Sequence, residues 1–244
     1  MTNLSPADIA GYLRQLGEGA LITLELFLAS FALAFTLGVL IGVATLSRSR
    51  IITALWRVYA SIFMGVPSLL VIFLVYYGGS AMLSAALGEF GASIDISPFG
   101  AGVAALAIVY ASYVAELVRG AIANLPKGQF EAARALAIPP FILWGRVILP
   151  QAMRLALPGL VNVWSFMLKE TPLVSLAGLQ DLVASAKIAA GATKEPFLFF
   201  IATALVFIAF SALTLKLGTW LEIRLDRGQR RDPAQGRAAA GMEA

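Results

Sequence analysis

Long apolar runs separated by short polar segments dominate this chain and determine the secondary structure it predicts. A bilayer core of about 30 Å is crossed by about 20 mostly apolar residues in a helix. Five stretches approach that length: Ala20–Leu46, Tyr59–Tyr77, Pro98–Val118, Leu155–Leu168 with a resumption at Thr171–Leu179, and Pro196–Leu217. Uncharged runs this long have no polar face to present to water, which disfavours a soluble protein with buried helices. The pattern predicts an all-α membrane protein with about five transmembrane helices.

Two of these stretches are interrupted. Gly65-Val66-Pro67 breaks the second, and Lys169 and Glu170 split the fourth where an uninterrupted helix is expected. A charged side chain at mid-bilayer costs about 2.5–3.5 kcal/mol on insertion scales, so it rarely faces lipid. Broken spans often line binding sites. In the first stretch, Gly38 and Gly42 form a small-xxx-small pattern that suggests close helix packing, with a partner subunit as one candidate.

Composition supports the membrane interpretation and removes several kinds of chemistry. Of 244 residues, 59% are apolar and 13% are charged, against about 45–50% and about 25% in soluble domains. The chain has no cysteine and no histidine, which excludes disulfides, imidazole catalysis and Cys/His metal sites, and no metal site is predicted. It also lacks a G-x-x-x-x-G-K-[ST] phosphate loop, so it is not expected to bind ATP in that way.

Basic residues are distributed unevenly around the spans and predict their orientation. Thirteen lie between spans one and two, between three and four, or after span five, whereas three lie on the opposite side: Arg14, Lys187 and Lys194. The N-terminus is therefore expected outside and the C-terminus inside, with Glu89 and Asp95 on the outer side. Because the net charge of +4 sits beside apolar runs, it indicates contact with membrane lipid and no nucleic-acid partner.

One transmembrane domain is expected over residues 1–227. The tail over residues 228–244 is rich in Gly, Ala and Arg, which predicts disorder. Residues 1–18 are expected to form a short interfacial helix. No cleavable signal peptide is recognised, because no basic segment precedes a short apolar core in residues 1–19.

The inside loop over residues 119–154 is longer than a bare connector needs to be. Gln129–Leu136 is a strong helix former, and Pro139-Pro140 stops it. Phe141–Val147 resumes an amphipathic pattern, which Leu149-Pro150 is expected to end or kink. A short helix at the inner face is suited to insertion into a groove on another protein. The alternative is an amphipathic helix that lies among lipid headgroups.

The same loop carries a recognisable motif. Glu131-Ala132-Ala133, then Ala137, then Val147-Ile148-Leu149-Pro150 resembles the EAA motif of binding-protein-dependent ABC importer permeases, E-A-A-x3-G-x9-I-x-L-P. The spacing fits without gaps. Ala137 stands where glycine is usual, which could alter the turn between the two loop helices, and Val147 stands where isoleucine is usual.

The flanking residues resemble the polar amino-acid subfamily, which includes histidine, arginine and opine permeases. Residues 111–122 and 126–129 resemble its A-x-Y-x-A-E-x-x-R-G-A-I…P-K-G-Q run, and residues 169–175 resemble its K-D-T-S-L-V-S segment. Residues 63–67 resemble its F-R-G-[TV]-P motif, with Met64 in place of the usual arginine. That replacement puts any charge role at this position in doubt.

The resemblance implies a type I importer in a bacterial inner membrane. Two permeases form its pore, an ATPase dimer sits below them, and a periplasmic binding protein delivers the amino acid. A heterodimer is expected from the histidine and opine systems. The chain itself is then not an enzyme and has no cofactor, since ATP and Mg²⁺ bind to the ATPase. The residues implied in docking to the ATPase are Glu131, Ala132, Ala133 and Ala137.

The residues expected along the substrate pathway are Glu116, Glu170, Lys169, Ser175 and Met64. Glu170, with or without Glu116, is the candidate to contact a zwitterionic or cationic substrate. The alternative is that each acid forms an ion pair with the partner subunit or lies at the inner mouth of the pore. Tyr110 and Tyr113 are interpreted as packing residues. Two other functions stay open at this point, a secondary transporter driven by an ion gradient and a non-transporting membrane scaffold.

Overall fold

The computed structural model describes residues 6–47, 49–87 and 96–226, and every regular element in these ranges is helical. In chain order the elements are α1 (Pro6–Ala44), α2 (Arg50–Gly65), α3 (Ser68–Phe73), a π-helical segment (Leu74–Gly78), α4 (Gly79–Leu87), α5 (Pro98–Ala123), α6 (Lys127–Ala135), α7 (Pro140–Ile142), a second π-helical segment (Leu143–Ile148), α8 (Leu149–Glu170), a 3-10 helix (Thr171–Ala177), α9 (Leu182–Thr193) and α10 (Pro196–Asp226). Predictions about Arg48, Glu89, Asp95 and the residues from 227 onwards lie outside the described residues.

Four helical runs are long and apolar enough to cross a membrane: Ala10–Ala44, Pro98–Ala123, Pro140–Ala177 and Pro196–Arg224. Arg50–Gly65 and Ser68–Met82 meet this criterion together, although they are bent by 106°. If that pair is counted as one span, the described residues contain five candidate spans. The all-α architecture with about five spans is confirmed, whereas the direction in which the spans cross the membrane stays a prediction.

The bend in the second span has a local cause. Val66 has an extended backbone (φ −96°, ψ 132°), which is the conformation that a following proline favours. Pro67 has no N–H to donate to a preceding turn, so α2 ends and α3 begins afresh at Ser68. The predicted break at Gly65-Val66-Pro67 is therefore confirmed.

The core is built around α5. Within its most apolar window 67% of the residues are buried, against 33% for α1 and 11% for α10. Both α1 and α8 pack against α5. The exposed α10 leaves apolar surface for lipid or a neighbouring subunit.

Two glycines bring α1 against α5. A Cβ at Gly38 would lie 2.5 Å from the Val114 Cβ and 2.9 Å from the Ala111 carbonyl oxygen. A Cβ at Gly42 would lie 2.9 Å from the Ala115 carbonyl oxygen. Neither position has room for a side chain, so the close packing predicted from the small-xxx-small pattern is confirmed, and the packing partner is a helix of the same chain.

The prediction that residues 1–18 form a short helix is wrong for residues 6–18, and residues 1–5 lie outside the described residues. The residues from Pro6 to Glu18 form the first turns of α1, which runs unbroken to Ala44. Gly19 lies within α1, at the point where this helix meets the start of α9. A Cβ there would lie 2.7 Å from the Ser185 Oγ.

The prediction that Leu149-Pro150 ends the second loop piece is also wrong, whereas a kink at these residues stays a prediction. The helix that opens at Pro140 continues through both residues into the fourth span. A proline lacks a donor and crowds the carbonyl four residues earlier. The π-helical segment Leu143–Ile148 lies directly before α8, and its wider turn accommodates Pro150. The predicted loop thus contains the end of α5, then α6, then the beginning of the fourth span.

Lys169 and Glu170 do not split the fourth span, contrary to prediction. Both belong to α8, and the chain tightens into the 3-10 helix only from Thr171. Pro172 occupies the first turn of that helix, where its missing N–H leaves no intrahelical bond unmade. The change of helix type therefore follows the charged pair, so that Glu170 is the last residue of α8.

The hydropathy pattern did not predict α9, which packs against α1 and α10. Its N-cap is Asp181, which is completely buried and whose Oδ1 accepts a hydrogen bond of 2.9 Å from the Ala184 N–H. Asp181 Oδ2 has no hydrogen-bond partner among the described residues. Burial raises the pKa of Asp181 from 3.8 to about 6. Hydrogen bonds from backbone N–H groups and the charge of Lys187 lower the pKa, but they offset only part of the increase.

This raised pKa predicts a pH-dependent stability. An acid with a folded pKa above its unfolded value loses stability as pH rises from about 4 through 6. We expect Asp181→Asn, which keeps a capping oxygen, to raise the free energy of unfolding at pH 8 by up to about 3 kcal/mol. Thermal unfolding of detergent-purified protein at pH 5 and pH 8 tests this, with Glu18→Gln as an exposed control. An Asp181→Asn protein with an unaltered pH dependence would contradict the assignment.

Candidate substrate pocket and coupling surface

A cavity of about 500 Å³ opens where the bend of the second span faces α5 and α8. The bend contributes Met64 through Ser68, α5 contributes Tyr110 and Tyr113, and α8 contributes Phe166 and Glu170. The 106° bend at Pro67 places Met64 through Ser68 along the cavity instead of continuing α2 as a straight helix. Its volume is in the range of small-molecule sites.

Glu170 is the single charged residue in the described lining of this cavity. Its Oε2 is buried and has no hydrogen-bond partner among the described residues. The Tyr110 hydroxyl lies within hydrogen-bonding reach of the same carboxylate. A buried carboxylate that has no cation paired with it is costly. The geometry therefore favours a cationic group at this position, from a ligand or from a neighbouring subunit.

The structure separates the other predicted pathway residues from this pocket, except Met64. Lys169 is exposed, and its Nζ lies 5.7 Å from the Phe166 ring centroid. It does not point in the same direction as Glu170, because adjacent helical residues point about 100° apart. Ser175 Oγ donates to the Pro172 carbonyl oxygen at 2.8 Å, away from the cavity lining. Glu116 lies on α5 and is paired with Arg119, whose Nε donates to Oε2 at 2.9 Å.

Tyr110 and Tyr113 line the pocket, which their interpretation as packing residues did not anticipate. Tyr110 is only 4% exposed and Tyr113 is 38% exposed, and their ring centroids are 5.8 Å apart. Their spacing could have indicated this position. Tyr110, Tyr113 and Glu116 follow one another at intervals of three residues, so that each is a neighbour of the next on the surface of α5.

The second candidate surface is α6, the first helix of the predicted loop. Glu131 and Ala132 on its outer face are exposed, whereas Ala133 is 4% exposed and packs against the chain. Leu136 and Phe141, just beyond the helix, are 73% and 77% exposed. A short amphipathic helix followed by large exposed apolar side chains is a surface suited to a groove on another protein.

Ala137 ends α6 in a conformation that usually requires glycine. Its φ is +49°. The Ile138 N–H donates to the Ala133 carbonyl at 2.9 Å and the Ala137 N–H donates to the Arg134 carbonyl at 3.1 Å, which is the Schellman pattern. Alanine therefore preserves the turn that glycine would form and accepts the left-handed backbone to do so.

α6 is tied to the beginning of the fourth span. The side-chain amides of Gln129 and Gln151 exchange two hydrogen bonds, of 2.9 and 3.0 Å. The Phe130 and Trp144 rings pack edge to face with centroids 6.2 Å apart. Displacement of α6 must therefore displace the N-terminal end of α8, whose C-terminal end carries Glu170.

Apolar spans, a pocket at a broken helix and an exposed docking helix together define a multi-pass membrane permease. Residues 34–227 match the family described as the binding-protein-dependent transport system inner membrane component. The chain belongs to this family, as the EAA motif predicted. It is an inner-membrane transport component and not a catalyst.

Individual proteins similar to this chain are named as transport proteins for amino acids or opines. The chain is 38% identical over 218 residues to the nopaline transport system permease protein NocQ of Agrobacterium fabrum, covering 86% of this chain and 92% of that protein. It is 37% identical to the histidine/lysine/arginine/ornithine permease HisQ of Salmonella typhimurium, covering 88% and 94%. The crystal structure of an amino acid ABC transporter with histidines superposes with a TM-score of 0.75 and 31% identity over 91% of this chain and all of that one.

A methionine ABC transporter, MetNI, in an inward-facing conformation also shares the fold, with a TM-score of 0.67 at 17% identity. The type I importer fold that the resemblance implied is therefore confirmed. These comparisons support the permease interpretation over a secondary transporter or a membrane scaffold.

Proposed function

We propose that this chain is one of the two permease subunits of an ABC importer that takes up a polar or basic amino acid, or an opine, delivered by a periplasmic binding protein. The observation that carries the proposal is the exposed EAA helix on a chain that lacks a phosphate loop. A docking helix without a nucleotide site requires a partner that supplies the energy of ATP hydrolysis.

In this proposal the partner is a dimer of ATP-binding subunits, which holds ATP and Mg²⁺, and no cofactor binds to this chain. The exposed Glu131, Ala132 and Ala137 contact a cleft of that subunit, while the buried Ala133 allows α6 to lie close to its own chain. The exposed apolar side chains of Leu136 and Phe141 extend the contact and become desolvated on docking.

The contacts of α6 explain how a movement at the ATPase reaches the pocket. Closure of the ATPase dimer moves α6, and the Gln129–Gln151 and Phe130–Trp144 contacts carry that movement into α8. α8 has 22 residues, about 33 Å at 1.5 Å per residue. Movement at its inner end shifts Glu170 at the other, which lets the pore alternate between inward-open and outward-open states.

Glu170 binds the cationic group of the amino acid in the pocket. A ligand ammonium or guanidinium provides the partner that Oε2 lacks within the described chain. Met64, where the family usually has arginine, leaves this half of the pocket without a cation. The substrate carboxylate is then recognised from elsewhere, and a second, related permease subunit is the natural source. The resemblance of the sequence motifs to the histidine and opine systems favours such a heterodimer.

Co-purification tests the proposed function. We expect the tagged chain, purified in detergent from its native membrane, to bring down an ATP-binding subunit and a second permease. The complex should hydrolyse ATP, and the binding protein loaded with its amino acid should stimulate hydrolysis. An unrelated tagged multi-pass protein from the same membrane is the control. A chain that purifies alone, with uptake driven by an ion gradient, would contradict the proposal.

A further inference from the structure

The groove between α5 and α8 opens a second time, into a cavity of about 380 Å³. Its walls include Glu116, Gly120 and Asn124 from α5 and Gly159 from α8. α5 and α8 approach closely at its edge, since a Cβ at Gly159 would lie 2.5 Å from the Leu117 Cδ2. Glu116 is the single charged residue in the described lining.

The two cavities follow one another along the same pair of helices. On α5, Tyr110 lines the first cavity and Gly120 the second. On α8, Phe166 lines the first and Ala156 the second. Each pair is separated by ten residues, or about 15 Å along a helix. The second cavity lies toward α6, because Asn124 directly follows α5 as its C-cap.

A guanidinium already occupies the carboxylate of this second cavity. The Arg119 Nε donates to Glu116 Oε2 at 2.9 Å, and Arg119 Nη2 donates to Glu116 Oε1. The two side chains are 40% and 44% exposed. A half-exposed pair one helical turn apart contributes little to stability and exchanges readily with another cation. Its bidentate geometry shows that the Glu116 carboxylate is oriented to accept a planar cation.

We propose that Glu116 is a release-side binding site for the cationic side-chain group of the transported amino acid, which displaces Arg119 as it leaves the Glu170 pocket. The inference rests on the proposed function, since it requires a substrate that passes between α5 and α8. Arg119 competes with the substrate for the same carboxylate and restores the ion pair after release. The carboxylates of Glu170 and Glu116 then act in succession along one groove.

The absence of cysteine from the chain makes a direct test possible. Asn124→Cys places one thiol at the exposed edge of the second cavity. The complete complex without ATP is labelled with a neutral maleimide, and labelling is read on this chain after electrophoresis. L-arginine is the probe and L-citrulline, of similar shape without the side-chain charge, is the control ligand. We expect L-arginine to protect the thiol and L-citrulline not to.

Three further substitutions in the Asn124→Cys chain assign the protection. Glu116→Gln should raise the L-arginine concentration for half-protection about tenfold or more, whereas Arg119→Gln should lower it roughly two- to fivefold by removing the competitor. Glu18→Gln, at an exposed acid that lines neither cavity, should leave it unchanged.

Equal losses in Glu116→Gln and Arg119→Gln would show that the pair is only structural and would overturn the inference. An equal loss of protection in Glu18→Gln, protection by L-citrulline or no protection at all would also overturn it. None of these results affects co-purification with the ATP-binding subunit, so failure of this inference is distinguishable from failure of the proposed function.

Discussion

Replacing Glu131 with lysine is expected to abolish ATP-driven uptake while leaving the chain in the membrane. Glu131 is exposed on the outer face of α6, so the substitution removes no contact that holds the fold together. Reversing a charge at a desolvated contact costs about 2–5 kcal/mol, which corresponds to a loss of thirtyfold or more in productive coupling. Uptake by proteoliposomes containing the complete transporter measures this loss, and membrane fractionation measures insertion.

Glu18→Lys is the matched control for that experiment. Glu18 is also an exposed glutamate on a helix, and its ion pair is with Arg14 at 2.9 Å, four residues earlier. An exposed pair of this kind contributes about 0–1 kcal/mol, so uptake should change little. If the Glu131→Lys complex kept its binding-protein-stimulated ATP hydrolysis and its uptake, the coupling role of α6 would be rejected.

The sequence was sufficient for the spans and for the coupling helix, because both depend on local patterns. Hydropathy identifies a membrane span without knowledge of its neighbours, and Pro67 identifies the bend from backbone sterics alone. The motif also identified Ala137 as a position where glycine is usual, and the φ of +49° found there explains why. What the motif did not show is that Ala133 faces inward, since that depends on which side of α6 packs against the chain.

The pocket could not be derived in the same way, because it depends on three elements that are distant in the sequence. Glu170 and Met64 were expected on the substrate pathway, but Tyr110 joins them only because α5 packs beside α8. α9 was missed because its apolar, alanine-rich stretch is too short for a span. Its position is fixed by contacts with α1, such as the 3.1 Å hydrogen bond from the Leu182 N–H to Thr23 Oγ1.

The largest expected effect on substrate recognition is that of Glu170→Gln. Glutamine keeps the size of the side chain and removes the negative charge, so the cavity of about 500 Å³ should persist. Loss of a hydrogen bond to a charged group costs about 1.5–3 kcal/mol, which predicts a decrease in transport efficiency of roughly 10- to 150-fold for a cationic amino acid. A thermal-shift screen on the cognate binding protein identifies the amino acid to use. The change is then measured from the kinetics of uptake of that amino acid.

Lys169→Gln is the control that separates recognition from general disturbance of α8. Lys169 is the adjacent residue and is exposed, and it does not contribute to the cavity lining. Its loss of charge removes only the contact with the Phe166 ring, so it should reduce transport much less than Glu170→Gln does. Neither substitution should affect the Gln129–Gln151 contact that links α6 to α8. Equal losses in both variants would indicate damage to the helix end, and unchanged kinetics in Glu170→Gln would remove Glu170 from the substrate site. A loss of transport confined to Glu170→Gln, with basal ATP hydrolysis intact, would assign the unpartnered Oε2 to the substrate. A residue that contacts the substrate is expected to change transport kinetics without changing the hydrolysis of ATP by the partner subunit.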